Sequence, residues 1–301
     1  MGENRKKNIL LSAGLGADCR AKRAVGVCGG YREKQCAGGR KNDVYVGRFH
    51  FWVYDDGYAE IAENQRSDLR DSVVVHSEVT YQGNAYPVVS IADNAFSECY
   101  FITYLEIPDS VTHIGNNAFK SCCFQEIKLS QNLLTIGDGA FEECDFQTVE
   151  IPESVISIGE RAFYRCENLK TIKIPENVQT IKESTFAESS LENIEIPDSV
   201  TSIEKSAFYD CDNLTEIKLP QNLQLIGNGT FANCATLYSI EIPDSGTQIG
   251  ANAFGSSGLK NVKLPKNLQT IEELTFSCCL IEKIEIPDSV TTIEEKAFWA
   301  S

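Results

Sequence analysis

One phenylalanine recurs at a nearly constant interval through most of this chain, and that interval constrains the fold more than any other feature. The spacing is 22 or 23 residues throughout. The series is Phe96, Phe119, Phe141, Phe163, Phe186, Phe208, Phe231, Phe254, Phe276 and Phe298. Eight of the nine prolines keep the same interval, from Pro108 to Pro287, with Ser130 in the remaining position. A unit of this length can bury its apolar face only by stacking against its neighbours.

Each repeat contains one short strand. In residues 158–180 (IGERAFYRCENLKTIKIPENVQT), the segment Leu169-x-x-Ile172-x-Ile174 alternates apolar and polar positions, which is typical of a strand with one buried face. Pro175 ends this strand, because proline has no amide hydrogen to donate to a ladder. The segment around Phe163 has room for one helical or 3₁₀ turn at most. The sequence therefore predicts a repeat solenoid with a parallel β-sheet on one face.

The full pattern I-G-x-x-A-F-x-x-C-x-x-L-x-x-I-x-I-P-x-S-V resembles the BspA-like leucine-rich repeat of bacterial surface proteins and of some protozoan parasites. The resemblance covers about residues 88–301. The departures are Ser189, Ser257 and Ser301 in place of Cys, Ser130 in place of Pro, and Gly246 in place of Val. The resemblance implies a leucine-rich repeat solenoid of 22–23-residue coils. It also implies a surface-exposed, adhesin-like protein that binds host or neighbouring-cell proteins.

Residues 43–87 differ from the repeats. Their alternating segments flank Asp56-Gly57 and Gln82-Gly83-Asn84, which predicts two β-hairpins. Because the first coil of a solenoid needs a cover, we expect residues 43–87 to form an N-terminal β cap. Its core would contain the aromatic residues Phe49, Phe51, Trp52, Tyr54 and Tyr58, which could alternatively form a ligand site. Residues 88–301 are assigned to the solenoid, whose C-terminal end is uncapped; this predicts a fragment of a longer protein or association through the open coil.

Residues 1–42 have a different character. They carry a net charge of +7, whereas the remaining residues carry −23. With several glycines and no hydrophobic periodicity, they are expected to form a flexible basic head. The basic residues 5–7 and the apolar residues 9–17 have the pattern of a weak secretion signal. The positive charges that follow oppose translocation. The acidic remainder argues against nucleic acid as a partner, and the chain has no apolar run long enough to predict a transmembrane helix.

The outward position between the two buried aliphatic residues of each strand alternates in charge without exception. This charged column is Glu106, Lys128, Glu150, Lys173, Glu195, Lys218, Glu241, Lys263 and Glu285. Because parallel strands lie about 4.8 Å apart, we expect each Glu to attract a Lys on either side. A second outward column varies in chemistry: Tyr104, Glu126, Thr148, Thr171, Asn193, Glu216, Ser239, Asn261 and Lys283. These eighteen residues are the predicted contact surface for a protein or glycoprotein ligand.

No combination of residues predicts catalysis. The three histidines belong to no catalytic motif, and nucleotide-binding or hydrolase motifs are not found in the sequence. Seven cysteines follow the repeat phenylalanines by three residues: Cys99, Cys122, Cys144, Cys166, Cys211, Cys234 and Cys279. Because serine replaces them singly, we interpret them as buried free thiols and not as a disulfide or metal ladder. We predict no cofactor and no metal site.

The sequence thus predicts a non-catalytic, protein-binding leucine-rich repeat module. By its resemblance it is adhesin-like and located at the cell surface or outside the cell. One alternative is a cytoplasmic scaffold for protein interactions. The other is the targeting arm of a longer enzyme truncated at Ser301.

Overall fold

The computed structural model describes residues 41–63, 69–245 and 248–301. The predicted basic head and its secretion signal fall on residues 1–40 and lie outside the described residues. The described residues contain twenty-three short β-strands and no helix, so none of their elements could span a membrane as a helix. Successive coils stack into a solenoid, which confirms the predicted fold. Each coil passes through a strand face, a second face of two-residue strands and a turn around the repeat phenylalanine.

Six strands precede the repeats, and they contain both predicted hairpins. They are β1 (Lys41–Val46), β2 (Phe49–Tyr54), β3 (Ala59–Ile61), β4 (Asp71–Val74), β5 (Glu78–Tyr81) and β6 (Asn84–Ile91). Strands β2 and β3 pair antiparallel, with Phe51 opposite Ile61. Strands β5 and β6 also pair antiparallel, and their turn residues Gln82 and Gly83 have left-handed φ angles of 49° and 80°. Two such residues match the right-handed twist of the flanking strands.

The predicted Leu-x-x-Ile-x-Ile segments form one face of the solenoid, which we call the strand face. Its strands are β7 (Ile102–Glu106), β9 (Glu126–Lys128), β11 (Thr148–Val149), β13 (Thr171–Ile172), β15 (Asn193–Glu195), β17 (Glu216–Lys218), β19 (Ser239–Glu241) and β21 (Asn261–Lys263). They pair in parallel, with Ile194 opposite Ile217 and Glu195 opposite Lys218. The ladder is interrupted, because its hydrogen-bonded groups are β4–β7–β9, β11–β13, β15–β17 and β19–β21.

The second face consists of two-residue strands that follow each proline turn. They are β8 (His113–Ile114), β10 (Thr135–Ile136), β12 (Ser157–Ile158), β14 (Thr180–Ile181), β16 (Ser202–Ile203), β18 (Leu225–Ile226), β20 (Gln248–Ile249), β22 (Thr270–Ile271) and β23 (Thr292–Ile293). One sheet has the order β1–β2–β3–β6–β8–β10–β12 and runs from the hairpins directly into the coils. Residues 41–301 accordingly form one compact unit.

The turn around each repeat phenylalanine is not helical. Each turn holds two left-handed residues four positions apart, such as Asn117 and Ser121 with φ angles of 51° and 56°. These residues prevent the chain from winding into a helix, in which every φ is negative. Alternate amides instead donate to the next coil: Phe119 to the carbonyl of Ala140 at 2.8 Å, and Ser121 to that of Glu142 at 2.7 Å. The turns thereby form a third hydrogen-bonded ladder along the solenoid.

The repeat phenylalanines form a continuous column through the core. Adjacent rings from Phe96 to Phe298 stack with centroids 5.2–5.6 Å apart. From Phe96 to Phe276 the side chains are almost completely buried. Each ring therefore packs against its equivalents in the coils before and after it, which explains why the spacing tolerates so little variation.

The repeat cysteines lie beside this column as buried free thiols, as predicted. The Sγ of Cys211 donates to the carbonyl of Phe186 at 3.2 Å, and that of Cys234 to the carbonyl of Phe208 at 3.1 Å. Burial raises the pKa of Cys166 and Cys211 to about 12. A serine hydroxyl can donate to the same carbonyl, as Ser301 does to Phe276. Ser189 and Ser257 instead lie within hydrogen-bond distance of the Sγ atoms of Cys211 and Cys279 in the next coil, so a buried serine at this position also finds a polar partner.

Candidate functional site on the strand face

All eighteen predicted contact residues lie on the outer side of the strand face. Sixteen of them are exposed, while Tyr104 and Glu106 are half-buried. Strand β4 extends the same face and places Ser72 opposite Tyr104 and Val74 opposite Glu106. Sequence reasoning missed these two residues, because β4 does not carry the repeat pattern. An exposed valine, 55% accessible, therefore borders the charged column at its N-terminal end.

The charged column is ion-paired in one direction only. The Nζ of Lys128 lies 2.7 Å from Oε1 of Glu106, and Lys218 pairs in the same way with Glu195. A third pair joins Lys263 to Glu241. Among the described residues, none of these lysines forms an ion pair with the glutamate of the following coil. The predicted attraction on both sides is therefore wrong, because each ammonium has turned toward the coil with which its own strand is paired.

Lys173 departs from this arrangement. Its ammonium pairs with Glu153, in the turn after β11, and not with Glu150 of the charged column. The other turns of the Asp-Ser type have a shorter aspartate at the position of Glu153, as at Asp198. The hydrogen bond from Lys173 lowers the pKa of Glu153. In the described part of the chain no ion pair reaches Glu150, so its exposed carboxylate interrupts the charge balance of the column.

The turns after the strands explain why Asp-Ser and Gln-Asn alternate along the sequence. The side chain of Asp109 accepts the amide of Gln131 at 2.9 Å, and its carbonyl accepts Nδ2 of Asn132 at 2.9 Å. The serine of the other turn type reaches back instead, as when Ser199 donates to the carbonyl of Val178 at 2.8 Å. Donors and acceptors therefore match only when the two turn types alternate, which gives a true period of two coils, about 45 residues.

A shallow depression of about 920 Å³ lies over the C-terminal part of the strand face. Seven of the predicted contact residues line it: Glu216, Ser239, Glu241, Asn261, Lys263, Lys283 and Glu285. Its floor includes Ile240 and Ile286, and the side chain of Ile286 is 39% exposed. Residues from both predicted columns thus surround a depression whose lining is partly apolar. Such a combination suits an interface with a polar rim.

A third outward column at the starts of the strands was not predicted. In it, Lys170 pairs with Glu192 at 2.9 Å, and the Nζ of Lys260 lies 5.5 Å from the ring centroid of Tyr238. The tyrosine side chain is 49% exposed. The sequence signal was the first variable position of Leu-x-x-Ile, which also faces outward where the chain enters the strand. Exposed tyrosines are enriched in protein interfaces, so this column enlarges the candidate surface.

The N-terminal aromatic residues are divided between two sides of their sheet. Phe49, Phe51 and Tyr54 are buried, as expected of a core. Trp52 is only half-buried and lies under the ammonium of Lys41, 3.5 Å from its ring centroid. Trp52 packs against the core and is only partly buried, because it alternates with Phe51 along β2 and faces the opposite side.

A comparison with protein families decides the classification of this chain. The family model of the BspA type leucine-rich repeat region matches residues 89–211 and 179–301, in six copies. The chain belongs to this family. A comparison with curated proteins gave no significant match.

Solved structures of leucine-rich repeat proteins share the fold. A leucine rich cell surface protein from Faecalibacterium prausnitzii is 27% identical, with 87% of each chain covered and a TM-score of 0.51. The leucine-rich repeat protein of T. pallidum is 28% identical over 65% of this chain and 91% of its own, with a TM-score of 0.56. A leucine-rich repeat protein from Bacteroides ovatus is 22% identical over 86% and 92%, with a TM-score of 0.53, and supports the fold alone.

Proposed function

We propose that this chain is a non-catalytic, adhesin-like module displayed at the cell surface, and that its strand face binds a protein or glycoprotein ligand. The proposal rests on the composition and exposure of the strand face. This face presents two chemically distinct outward columns on stacked coils, with a partly apolar depression at one end. Extended surfaces of stacked repeats are used in this way by other solenoids. The F. prausnitzii protein of the same fold is described as a cell surface protein.

The charge arrangement suits specific binding. Three Glu–Lys pairs make the charged column locally balanced, although residues 43–301 carry −23 overall. A ligand therefore meets little net repulsion along this column. The second column, which includes Glu216 and Lys283, differs from coil to coil. Discrimination between ligands would depend on these variable residues.

Charge reversal on the strand face tests this proposal. The full chain would be labelled with a fluorophore, and its binding to intact host cells and neighbouring bacteria measured by flow cytometry. We expect saturable binding that falls at least tenfold in Glu216→Lys and in Lys283→Glu. The matched controls are Glu160→Lys and Lys296→Glu, which make the same charge changes on the phenylalanine turns. Equal binding by all four variants and the wild type would contradict the assignment of the strand face.

A cytoplasmic interaction scaffold is the second candidate. It is favoured by the free cysteines, since Cys278 is exposed and Cys123 is partly exposed. Free thiols persist most readily in reducing compartments. Binding through the strand face is common to both candidates, so the location of the protein in its own cells distinguishes them.

A further inference from the structure

The strand face is built from separate hydrogen-bonded groups, which are β4–β7–β9 and the pairs β11–β13, β15–β17 and β19–β21, and not from equivalent coils. Within the pair β15–β17, the amide of Ile196 donates to the carbonyl of Lys218 at 3.0 Å. The same bond joins Ile107 to Lys128 at 2.9 Å in the pair β7–β9 and Ile242 to Lys263 at 3.0 Å in the pair β19–β21. These are the pairs that carry the Glu–Lys ion pairs. In these three pairs, main-chain and side-chain bonds therefore hold the same two coils together. In the pair β11–β13, the described residues show no such bond from the amide of Ile151, and Lys173 pairs with Glu153.

The junctions between pairs lack these bonds. Over the residues that the structure describes, no strand pairing joins β9 to β11 or β17 to β19. In the described part of the chain, the amides of Leu129 and Leu219 have no hydrogen-bond acceptor, although they occupy the positions of Ile107 and Ile196. The depression described above lies partly over the junction of β17 and β19, where Ile217 and Ile240 line it. The strand face is thus loosely joined at the junctions β9/β11 and β17/β19.

The other two faces remain joined across the same junctions. On the second face, β18 pairs with β20, placing Ile226 opposite Ile249. On the turn face, Phe231 stacks on Phe254 at 5.6 Å, and its amide donates to the carbonyl of Ala253 at 2.8 Å. At such a junction the two coils are bonded on the second face and on the turn face. They can therefore move apart on the strand face while remaining joined on the other two.

We infer that the junctions between two-coil pairs are hinges at which the strand face opens and changes its curvature, with the phenylalanine column as the fixed side. The junction between β13 and β15 is tighter than the others. There the amide of Glu192 donates to the carbonyl of Lys170 at 3.0 Å, and their side chains form an ion pair at 2.9 Å. Bending is accordingly concentrated at β9/β11 and β17/β19. Such bending would let one array fit ligand surfaces of different curvature, but the inference holds whether or not the strand face binds a ligand.

Amide hydrogen exchange of the full chain, followed residue by residue by NMR, tests the inference, because exchange reports local opening. After correction for intrinsic rates, we expect the amide of Leu219 to exchange at least tenfold faster than that of Ile196. Leu129 should likewise exchange at least tenfold faster than Ile107. The amide of Phe231, which crosses the same junction as Leu219 on the turn face, should remain as protected as Ile196. Exchange rates for Leu219 and Ile196 within a factor of two, or an unprotected Phe231, would overturn the inference.

A charge-removing variant shows whether the ion pair contributes to the difference. In Lys218→Gln, the exchange of Ile196 should accelerate at least threefold, while that of Phe231 stays unchanged. Lys205→Gln, which removes an ion pair with Glu183 at 2.7 Å, is the matched control and should leave Ile196 unchanged. An unchanged Ile196 in Lys218→Gln would contradict the coupling of the ion pair to the two-coil unit.

Discussion

The ammonium of Lys218 lies against the carboxylate of Glu195 in the preceding coil, while Glu241 of the following coil is paired with Lys263. The regular alternation of charge in the sequence therefore marks two-coil units, within which strands, ion pairs and turn aspartates bond in register. The turn serines instead bond to the preceding unit, as Ser199 does to Val178. The alternation of charge does not describe an unbroken ladder. Exposed ion pairs of this kind contribute only about 0.2–1 kcal/mol each to stability. The accompanying hydrogen bonds of the backbone and the turns therefore supply much of the free energy that joins two coils into one unit.

The serine of each Asp-Ser turn should stabilise the array only where a preceding repeat turn accepts its hydrogen bond. Ser199 donates to the carbonyl of Val178, whereas the hydroxyl of Ser110, in the first such turn, is buried without a partner in the described residues. We expect Ser199→Ala to lower the free energy of unfolding by about 1 kcal/mol. Ser110→Ala should be neutral or slightly stabilising, because it removes an unsatisfied polar group. Urea denaturation would measure both, and equal losses would contradict this account of the turns.

The phenylalanine column should dominate the stability of the coils. Phe208 is completely buried and stacks on Phe186 and Phe231, both at 5.4 Å. We expect Phe208→Ala to lower the free energy of unfolding by about 3–5 kcal/mol, because it removes a large buried ring and leaves a cavity. The matched control is Tyr238→Ala on the exposed strand face, for which we expect a change within about 0.5 kcal/mol. Similar losses for the two variants in urea denaturation would refute the structural role assigned to the column.

The cysteines should differ sharply in reactivity. Burial raises the pKa of Cys211 to about 12, so at pH 8 almost none of it is the reactive thiolate, and the side chain is inaccessible. Cys278 is exposed. We expect iodoacetamide to alkylate Cys278 in the folded protein at pH 8 and to reach Cys211 only after unfolding. Peptide mass spectrometry would show this, and early labelling of Cys211 in native protein would contradict its burial.

Glu142 should make part of the stability depend on pH. Its side chain is only 7% exposed and accepts hydrogen bonds from Lys120 and Arg161, both at 2.9 Å. Burial acts to raise the pKa of Glu142, but the bonds and charges of Arg161 and Lys120 outweigh it, so the pKa is lowered. The folded pKa lies below the unfolded one. The stabilisation is therefore complete above the unfolded pKa of about 4.3, and is lost as pH falls through the folded pKa.

The corresponding variant is Glu142→Gln. At pH 7 we expect it to lower the free energy of unfolding by about 1–3 kcal/mol, because the two cations lose a charged acceptor. The difference from wild type should shrink as pH approaches 3. Glu160→Gln, at an exposed carboxylate, should show neither effect. Denaturation curves for wild type and Glu142→Gln that stay parallel from pH 7 to pH 3 would rule out a lowered pKa at Glu142.

Features that follow from the repeat could be predicted from the sequence, and features that depend on local geometry could not. The strands, their parallel register and the buried column follow from apolar periodicity, as at Ile194 and Ile217. Lys173 pairs with Glu153 because the glutamate side chain is longer than the aspartate found in the other turns of this type, and the repeat pattern does not predict this ion pair. Sequence gives no sign that Asn117 and Ser121 adopt left-handed angles, nor that β4 joins the strand face at Tyr104. The outward orientation of the two columns therefore followed from the repeat, whereas their ion pairing and their N-terminal border did not, and the role of the columns in binding stays a prediction.

Surface display is the central claim, and protease shaving of intact source cells tests it most directly. Cells would be treated briefly with trypsin, and the released peptides identified by mass spectrometry, with a cytosolic protein followed as the lysis control. We predict that peptides from residues 88–301 are released while the cytosolic control stays intact. If the repeat peptides appear only after lysis, together with the control, the surface-displayed module is contradicted and the cytoplasmic scaffold takes its place.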